Sequence, residues 1–339
     1  MSFSPPRARV LQLAAAALLL VAIGGYSLWW VQLAHSLRDG ALRWVEARNA
    51  SGWSIATGDI GIGGYPLAIR LTLPQPSATD PGGNRWQGPP IIVTITPWAP
   101  NRPHLDASGH HVVTPAGAPP LVLSADSVTA DLVLDTSGVV DSVNLGIANA
   151  SAEGAELGRL SATLRRLAPG KVDYTAASLG LSAELEKLVL PDFPHMVLGH
   201  SLMHAKLEAR VMGSIPAGPL KPALAAWSGD GGIVQIDGLT LDWPPLGLSG
   251  KGTLALDRDM QPILASTCTL RGLFDAIDAL TRAGTVRAKD AGLAKIVLGL
   301  LTRPAADGVP ELTVPLTVQT HTLYVGPAAL LKIPPLNWE

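Results

Sequence analysis

Residues 10 to 34, VLQLAAAALLLVAIGGYSLWWVQLA, contain no charged side chain. About 20 apolar residues suffice to cross the ~30 Å hydrocarbon core of a bilayer as a helix. A helix also satisfies its own backbone polar groups where no water can do so. The run therefore sets the first element of the chain and predicts a membrane anchor. A cleaved signal peptide has a shorter apolar part of about 7–15 residues, followed by small side chains; here Tyr26, Trp29 and Trp30 follow instead. An uncleaved anchor is expected. Arg7 and Arg9 precede the run and an aromatic belt closes it, so the positive-inside rule puts residues 1–9 in the cytoplasm and the rest of the chain across the membrane. LAKIVLGLL (293–301) is too short to span and follows Lys289 and Asp290, so one pass is expected.

After the span, Leu33, Leu37, Ala41, Trp44 and Val45 recur at three- and four-residue spacing, predicting a juxtamembrane helix over 35–50 with one apolar stripe. From about residue 53 the period becomes two. In HSLMHAKLEARVMG, Met203, Ala205, Leu207, Ala209 and Val211 alternate with His204, Lys206, Glu208 and Arg210, the pattern of a strand with one dry and one wet face. TADLVLD (129–135), GLSAELE (180–186), GLSGKGTLALD (247–257) and ELTVPLTVQT (311–320) repeat it, with turn residues between. Helical patches interrupt at 219–229 and across 273–303, the latter divided at Gly284 and Gly292. The expected fold is α+β and mostly β: a long curved antiparallel meander sheet forming a trough or a sandwich, with a few helices, preceded by one transmembrane helix. Residues 51–339 form the exported β-rich domain, with a subdivision near 213–230. Shifts of phase at Asp126-Ser127 and Asp237-Gly238 predict bulges.

GDIGIGGYPLAIRLTL (58–73) has the glycines of a phosphate-binding loop. A dinucleotide fingerprint, however, needs glycine where Pro66 stands and a helix after it, whereas Leu67, Ile69, Leu71 and Leu73 continue the period of two. A hairpin is predicted, with Gly61, Gly63 and Gly64 supplying positive φ or a bulge. SGKGT (249–253) has Pro245 where a nucleotide-binding loop requires glycine, and GLSGK (247–251) lacks the second glycine of a nucleophile elbow. His195, His200 and His204 invite a metal, but on a strand the last two stand about 13 Å apart, so they read as solvent-facing. His110-His111 reads as surface loop. No catalytic constellation, metal site or cofactor is expected. Net charge is −2 with no long like-charge run, which leaves no footprint for nucleic acid. The single cysteine, Cys268, excludes an intrachain disulfide and reads as a small buried apolar residue.

The tryptophan-bearing segment through Trp44, Gly64-Tyr65-Pro66, Pro97-Trp98-Ala99-Pro100, LDWPPLGLSGKGTLALD (241–257) and LYVGPAALLKIPPLNW (323–338) occur in an order that spans nearly the whole chain. In these the chain resembles the bacterial domain-of-unknown-function family twenty-one twenty-five, whose members carry an N-terminal anchor and an exported domain. The resemblance brings no catalytic residues. It implies a looser similarity to AsmA-type envelope proteins, which build long curved sheets with an apolar inner face.

Hydrophobic residues make up 47% of the chain and charged ones 15%, and mean hydropathy is +0.28, more apolar than an ordinary soluble domain. Together with the one-sided strands, this leads to an expected periplasmic domain on an inner-membrane anchor that binds lipid or another hydrophobic ligand in an apolar sheet groove, in lipid transport or envelope maintenance. The helices at 219–229 and 273–303 would plug or gate its ends. The expected lining is Ile69, Leu71, Leu132, Leu134, Leu181, Leu207, Val211, Leu254 and Leu256. Expected partners are the membrane, the lipid itself and envelope proteins. The alternative is a non-enzymatic scaffold that recruits envelope-assembly partners through exposed tryptophans such as Trp86 and Trp98.

Overall fold

The computed structural model describes residues 6–167, 176–191, 199–282, 287–305, 308–326, 328–336 and 338. His195, Gly284 and the first residues of the N-terminal segment lie outside the described residues. The chain divides into two compact units, Met1–Leu123 and Ser124–Glu339. The turn-and-helix region 213–230 lies inside the second.

The first unit opens with helix α1, Pro6–Ala50. Anchor and juxtamembrane helix are one continuous element, about 68 Å long at 1.5 Å per residue. The helix is long and apolar enough to cross a membrane, and its most apolar stretch is not buried in the protein. Farther along, Trp30 and Ala34 are buried with Ile60, Ile69 and Leu71, while Tyr26, Leu33, Leu37 and Ala41 flank them. The expected stripe is half-buried at Leu33, Leu37, Ala41 and Val45, but Trp44 is exposed and carries Arg48 over its ring at 5.7 Å.

Short strands supply what this helix packs on. β1 (Ser54–Ala56), β2 (Gly61–Gly63), β3 (Ile69–Leu73) and β4 (Ser77–Thr79) are followed by β5 (Arg85–Gln87), β6 (Ile91–Thr96), β7 (Ala99–Asp106) and β8 (Gly109–Thr114). β2, β3, β6 and β7 form one antiparallel ladder, and β1, β4, β5 and β8 another. The predicted hairpin is present, with Ile62 opposite Leu71. Gly64 has positive φ (94°), whereas Gly61 and Gly63 sit in the ladder with ordinary φ. The pair His110-His111 is not a loop but part of β8. There His111 stacks on Trp86 at 6.0 Å and accepts its indole N–H at Nδ1 (3.3 Å). Trp86 is consequently half-buried, while Trp98 at the β6–β7 turn is 68% exposed.

The second unit is an antiparallel meander. β9 (Leu121–Leu134), which crosses the boundary between the units, leads to β10 (Val140–Ala152), β11 (Ala155–Arg166), β12 (Ala177–Val189) and β13 (Ser201–Met212). Helix α2 (Leu220–Gly229) precedes β14 (Ile233–Trp243), β15 (Leu246–Leu256) and β16 (Pro262–Arg271). Helices α3 (Leu273–Arg282) and α4 (Ala288–Leu301) come next, then β17 (Arg303–Pro304), β18 (Pro310–Gln319), β19 (Thr322–Val325) and β20 (Ala328–Lys332). From β9 to β16 each strand pairs with the next, then β16 with β18, β18 with β19 and β19 with β20. Among the described residues the ladder remains open, with β9 and β20 unpaired to each other. The fold is mostly β, antiparallel and open, as the alternation predicts.

Two helices stand at opposite ends of these strands. Trp227 of α2 is buried and donates to the Met212 carbonyl (2.8 Å), and Ser228 donates to the Leu256 carbonyl (2.9 Å). Both acceptors lie where β13 and β15 end. At the other end α3 starts from Gly272, a residue held so close to the Pro245 carbonyl that no Cβ would fit. The C-terminal segment returns to the α2 end, where the buried Gln261 side chain exchanges two hydrogen bonds with the Leu336 backbone and Trp338 donates to the Met260 carbonyl.

Candidate functional site

The site is a face rather than a cluster. Residues directly opposite each other in an antiparallel ladder point to the same side, so the register assigns every side chain. Leu164 faces Leu181, Leu181 faces Ala209, and Leu160 faces Leu185. Leu207 lies opposite both Ala183 and Leu239, and Val211 opposite Val234. Val234 faces Leu254, Leu254 faces Leu264, and Leu264 faces Val318. One side of the sheet is thus apolar from β10 through β18. The other side presents Arg159, Ser161 and Thr163, then Ser182, Glu184 and Glu186, then Lys206, Glu208 and Arg210.

Keeping the faces separate requires an irregularity in β14. In β14, Val234 and Ile236 are even-numbered and Leu239 and Leu241 odd-numbered, so a regular strand would send one pair into water. The ladder shifts register between Ile236 and Leu239, as the phase change at Asp237-Gly238 predicts. The extra residue, Asp237, turns its carboxylate to the polar side, where Arg210 grips it with two hydrogen bonds of 2.6 and 2.7 Å. That clamp holds the Asp237 carboxyl below the usual carboxylate range. Nearby, a hydrogen bond from His204 (3.0 Å) does the same for Glu184. Asp237 and Glu184 of the polar face are thus held in the ionised form by their cationic or N–H partners.

The apolar face is unevenly covered. Along β10–β15 most of its leucines are half-buried, Leu164 and Met203 are exposed at 42% and 48%, and only Ala209 is fully buried. On β16 and β18, by contrast, Cys268, Leu270, Leu312 and Val318 are buried. In the less covered part a groove of about 120 Å3 is lined by Leu160, Ala183, Leu185, Ala205, Leu207 and Leu239, edged by Glu184 and Lys206. Its cause is local. Ala162 sits opposite Ala183, and Ala205 opposite Leu185, so small side chains adjoin leucines and leave a dent between them.

Of the residues predicted to line a groove, Leu181, Leu207, Val211, Leu254 and Leu256 lie on this face by register. Leu132 and Leu134 join them, because Thr129, an odd number of residues away on β9, abuts Gly146 on the polar side. Ile69 and Leu71 belong to the first unit, where they are 0% and 4% exposed in the core against α1. The alanines and Leu160, Leu185 and Leu239 are not among the sequence-predicted residues; the small-beside-large pairing that makes the dent exists only once the register is known. SGKGT and GLSGK fall inside β15, with no loop or helix following them there. His204 points to the polar face.

Comparison with known families matches residues 30–334 to a model described as uncharacterized protein conserved in bacteria. The chain belongs to the DUF2125 family. The DUF2125 match begins at Trp30, the first buried residue of α1, and covers both units. No curated protein and no solved structure matches this DUF2125 chain.

Proposed function

We propose that this DUF2125 protein is a membrane-anchored, non-catalytic binder of lipid or a similar hydrophobic ligand, carried on the apolar sheet face of its second unit. The observation that carries this reading is the register: from β10 to β15 apolar side chains share one side and, Ala209 apart, are half-buried or exposed. Leaving such a surface bare is costly at ~25 cal/mol per Å2, and contiguous exposed apolar surface marks an interaction site. β9 to β15 are seven strands, hence six spacings, or about 29 Å across at ~4.8 Å each. That is room for one acyl chain laid across the strands, with the groove at Ala183 and Ala205 as a seat within it. A chain of roughly sixteen carbons would lose about 13 kcal/mol if exposed to water at ~0.8 kcal/mol per methylene, so a continuous apolar bed is what moving it requires. α1 would hold the domain at the inner membrane, N-terminus in the cytoplasm and both units in the periplasm, and α2 and α3 would gate the two ends of the strands.

The competing reading, a scaffold for envelope-assembly partners, is favoured by Trp98, 68% exposed at a hairpin turn where aromatic side chains anchor protein interfaces. Native mass spectrometry of the full chain, released from membranes in mild detergent and paired with organic extraction, separates the two. A stoichiometric lipid that is lost in Leu207→Glu supports the lipid reading, because annular lipid around α1 would survive that change. A lipid-free chain, or lipid equally present in Leu207→Glu, would move the assignment to the scaffold.

A further inference from the structure

The turn at Gly64–Ala68 rests against the helix beside Tyr26, Ser27 and Trp30, within the uncharged run 10–34. At 1.5 Å per residue, Ser27 lies about 10 Å before the end of that run at Ala34, so the turn sits at a depth the apolar part of the helix still occupies. Irregular backbone is tolerated at such depth only when the protein satisfies its polar groups, and here the helix and the turn pair several of them. The Gly64 carbonyl accepts the Ala68 N–H (3.0 Å), the Ala68 carbonyl accepts the Trp30 indole N–H (3.1 Å), and the Pro66 carbonyl accepts the Tyr26 hydroxyl. Ser27 Oγ and Tyr65 OH share a hydrogen bond of 2.8 Å, and Pro66 has no N–H to satisfy. The outward surface is apolar: Leu67 is 68% and Tyr65 51% exposed. Arg70 follows on the exposed side of β3, opposite Gly63 and Thr94, and a guanidinium on such a long stem can reach towards lipid phosphate.

We propose that the Tyr65-Pro66-Leu67 turn is a second membrane contact, lying beside α1 at the boundary between the acyl chains and the headgroup layer, with Leu67 and Tyr65 as the side chains that meet lipid. The inference rests on the anchor part of the proposed function, α1 crossing a bilayer, and not on ligand binding by the sheet.

The test uses the full chain reconstituted in vesicles of phosphatidylethanolamine and phosphatidylglycerol, with single cysteines introduced by Leu67→Cys, Leu20→Cys and Thr313→Cys. The native Cys268 is 1% exposed and remains unlabelled. Each introduced thiol carries an environment-sensitive fluorophore, and quenching by lipids brominated at shallow or deep acyl positions reads its depth. The expected result is strong shallow quenching at position 67, deep quenching at position 20 and none at position 313. Position 67 behaving like position 313 while position 20 is quenched overturns the turn contact and leaves the anchor standing. No quenching at position 20 overturns both. A blue shift at position 67 that grows with protein density but ignores brominated lipid would mean a second copy covers the turn, and also overturns the proposal.

Discussion

Trp30 donates its indole N–H to the carbonyl of Ala68 across 3.1 Å, joining a helix residue to the far side of a hairpin 38 positions later. The same indole packs edge-on to Tyr65 at 5.5 Å and is 7% exposed. Helix α1 is therefore a structural member of the first unit, not a tether attached to it. Its residues 26–41 take part in the core with Ile60, Ile69 and Leu71.

Removing that member should unfold the first unit. Trp30→Ala is expected to cost about 3–5 kcal/mol, the range for truncating a buried tryptophan. Trp30→Phe keeps most of the ring and loses one hydrogen bond, about 1 kcal/mol. A chain truncated to begin after Ala34 loses both Trp30 and Ala34 and should expose the Ile69 and Leu71 surface. Denaturant unfolding in a mild detergent, monitored by tryptophan fluorescence, ranks the three; Trp30→Ala as stable as the native chain would contradict the docked arrangement.

Gly64 is the one glycine of the 61–64 group that the turn cannot replace. Its φ is +94° and an added Cβ would stand 2.7 Å from the Ala68 carbonyl oxygen, the acceptor of the Trp30 bond. At Gly63 the same Cβ meets nothing within 4 Å and φ is ordinary. Gly64→Ala should therefore destabilise by about 1–3 kcal/mol through strain, and Gly63→Ala should be neutral or slightly stabilising. Equal effects at the two positions in thermal unfolding would refute the assignment.

The alternation along 203–211 was enough to place a strand and its dry face, and the phase break at Asp237-Gly238 was enough to place a bulge. What alternation does not carry is the identity of whatever covers the dry side. Ile69 and Leu71 alternate as cleanly as Leu207 and Val211, yet the first pair packs on α1 while the second belongs to a different sheet face. The groove escaped for the same reason: Ala183 and Ala205 are unremarkable alone and form a dent only beside the leucines that pairing brings to them. His111 read as loop because its two neighbours in the structure, Trp86 and the β5 ladder, lie about two dozen positions away.

The clamp of Arg210 on Asp237 predicts a pH dependence with a definite sign. The folded Asp237 pKa is lowered, chiefly by the Arg210 hydrogen bonds, so its contribution to stability is complete above the unfolded value of about 3.9. It is lost as pH falls through the lower folded value. Both side chains are more than a third exposed at 47% and 34%, so solvent screening keeps the contribution small. Arg210→Gln should return the Asp237 carboxyl to ordinary titration and flatten the loss of stability below about pH 4. Carboxyl-carbon NMR of Asp237 in the two proteins checks this directly, and an unchanged midpoint would remove the clamp from the account of the bulge.

The groove offers the sharpest separation of folding from binding. Ala183 lies opposite Leu207 on β13 and Ala162 on β11, at the floor of the 120 Å3 dent. Its surroundings are half-buried and open on one side, so a larger apolar side chain has somewhere to go and overpacking strain of the closed-core kind, about 1–3 kcal/mol, should not arise. Ala183→Phe is therefore expected to leave the unfolding midpoint near the native value, or raise it, while occupying that seat for an acyl chain. If the sheet face binds lipid there, the variant should purify with at least several-fold less extractable lipid than the native chain, and an Ala→Phe change on the polar face, such as Ala265→Phe, should not alter it. Undiminished lipid in Ala183→Phe would place any ligand elsewhere than on this face; loss of folding in that variant alone would show that the dent is closed in solution by the protein's own side chains.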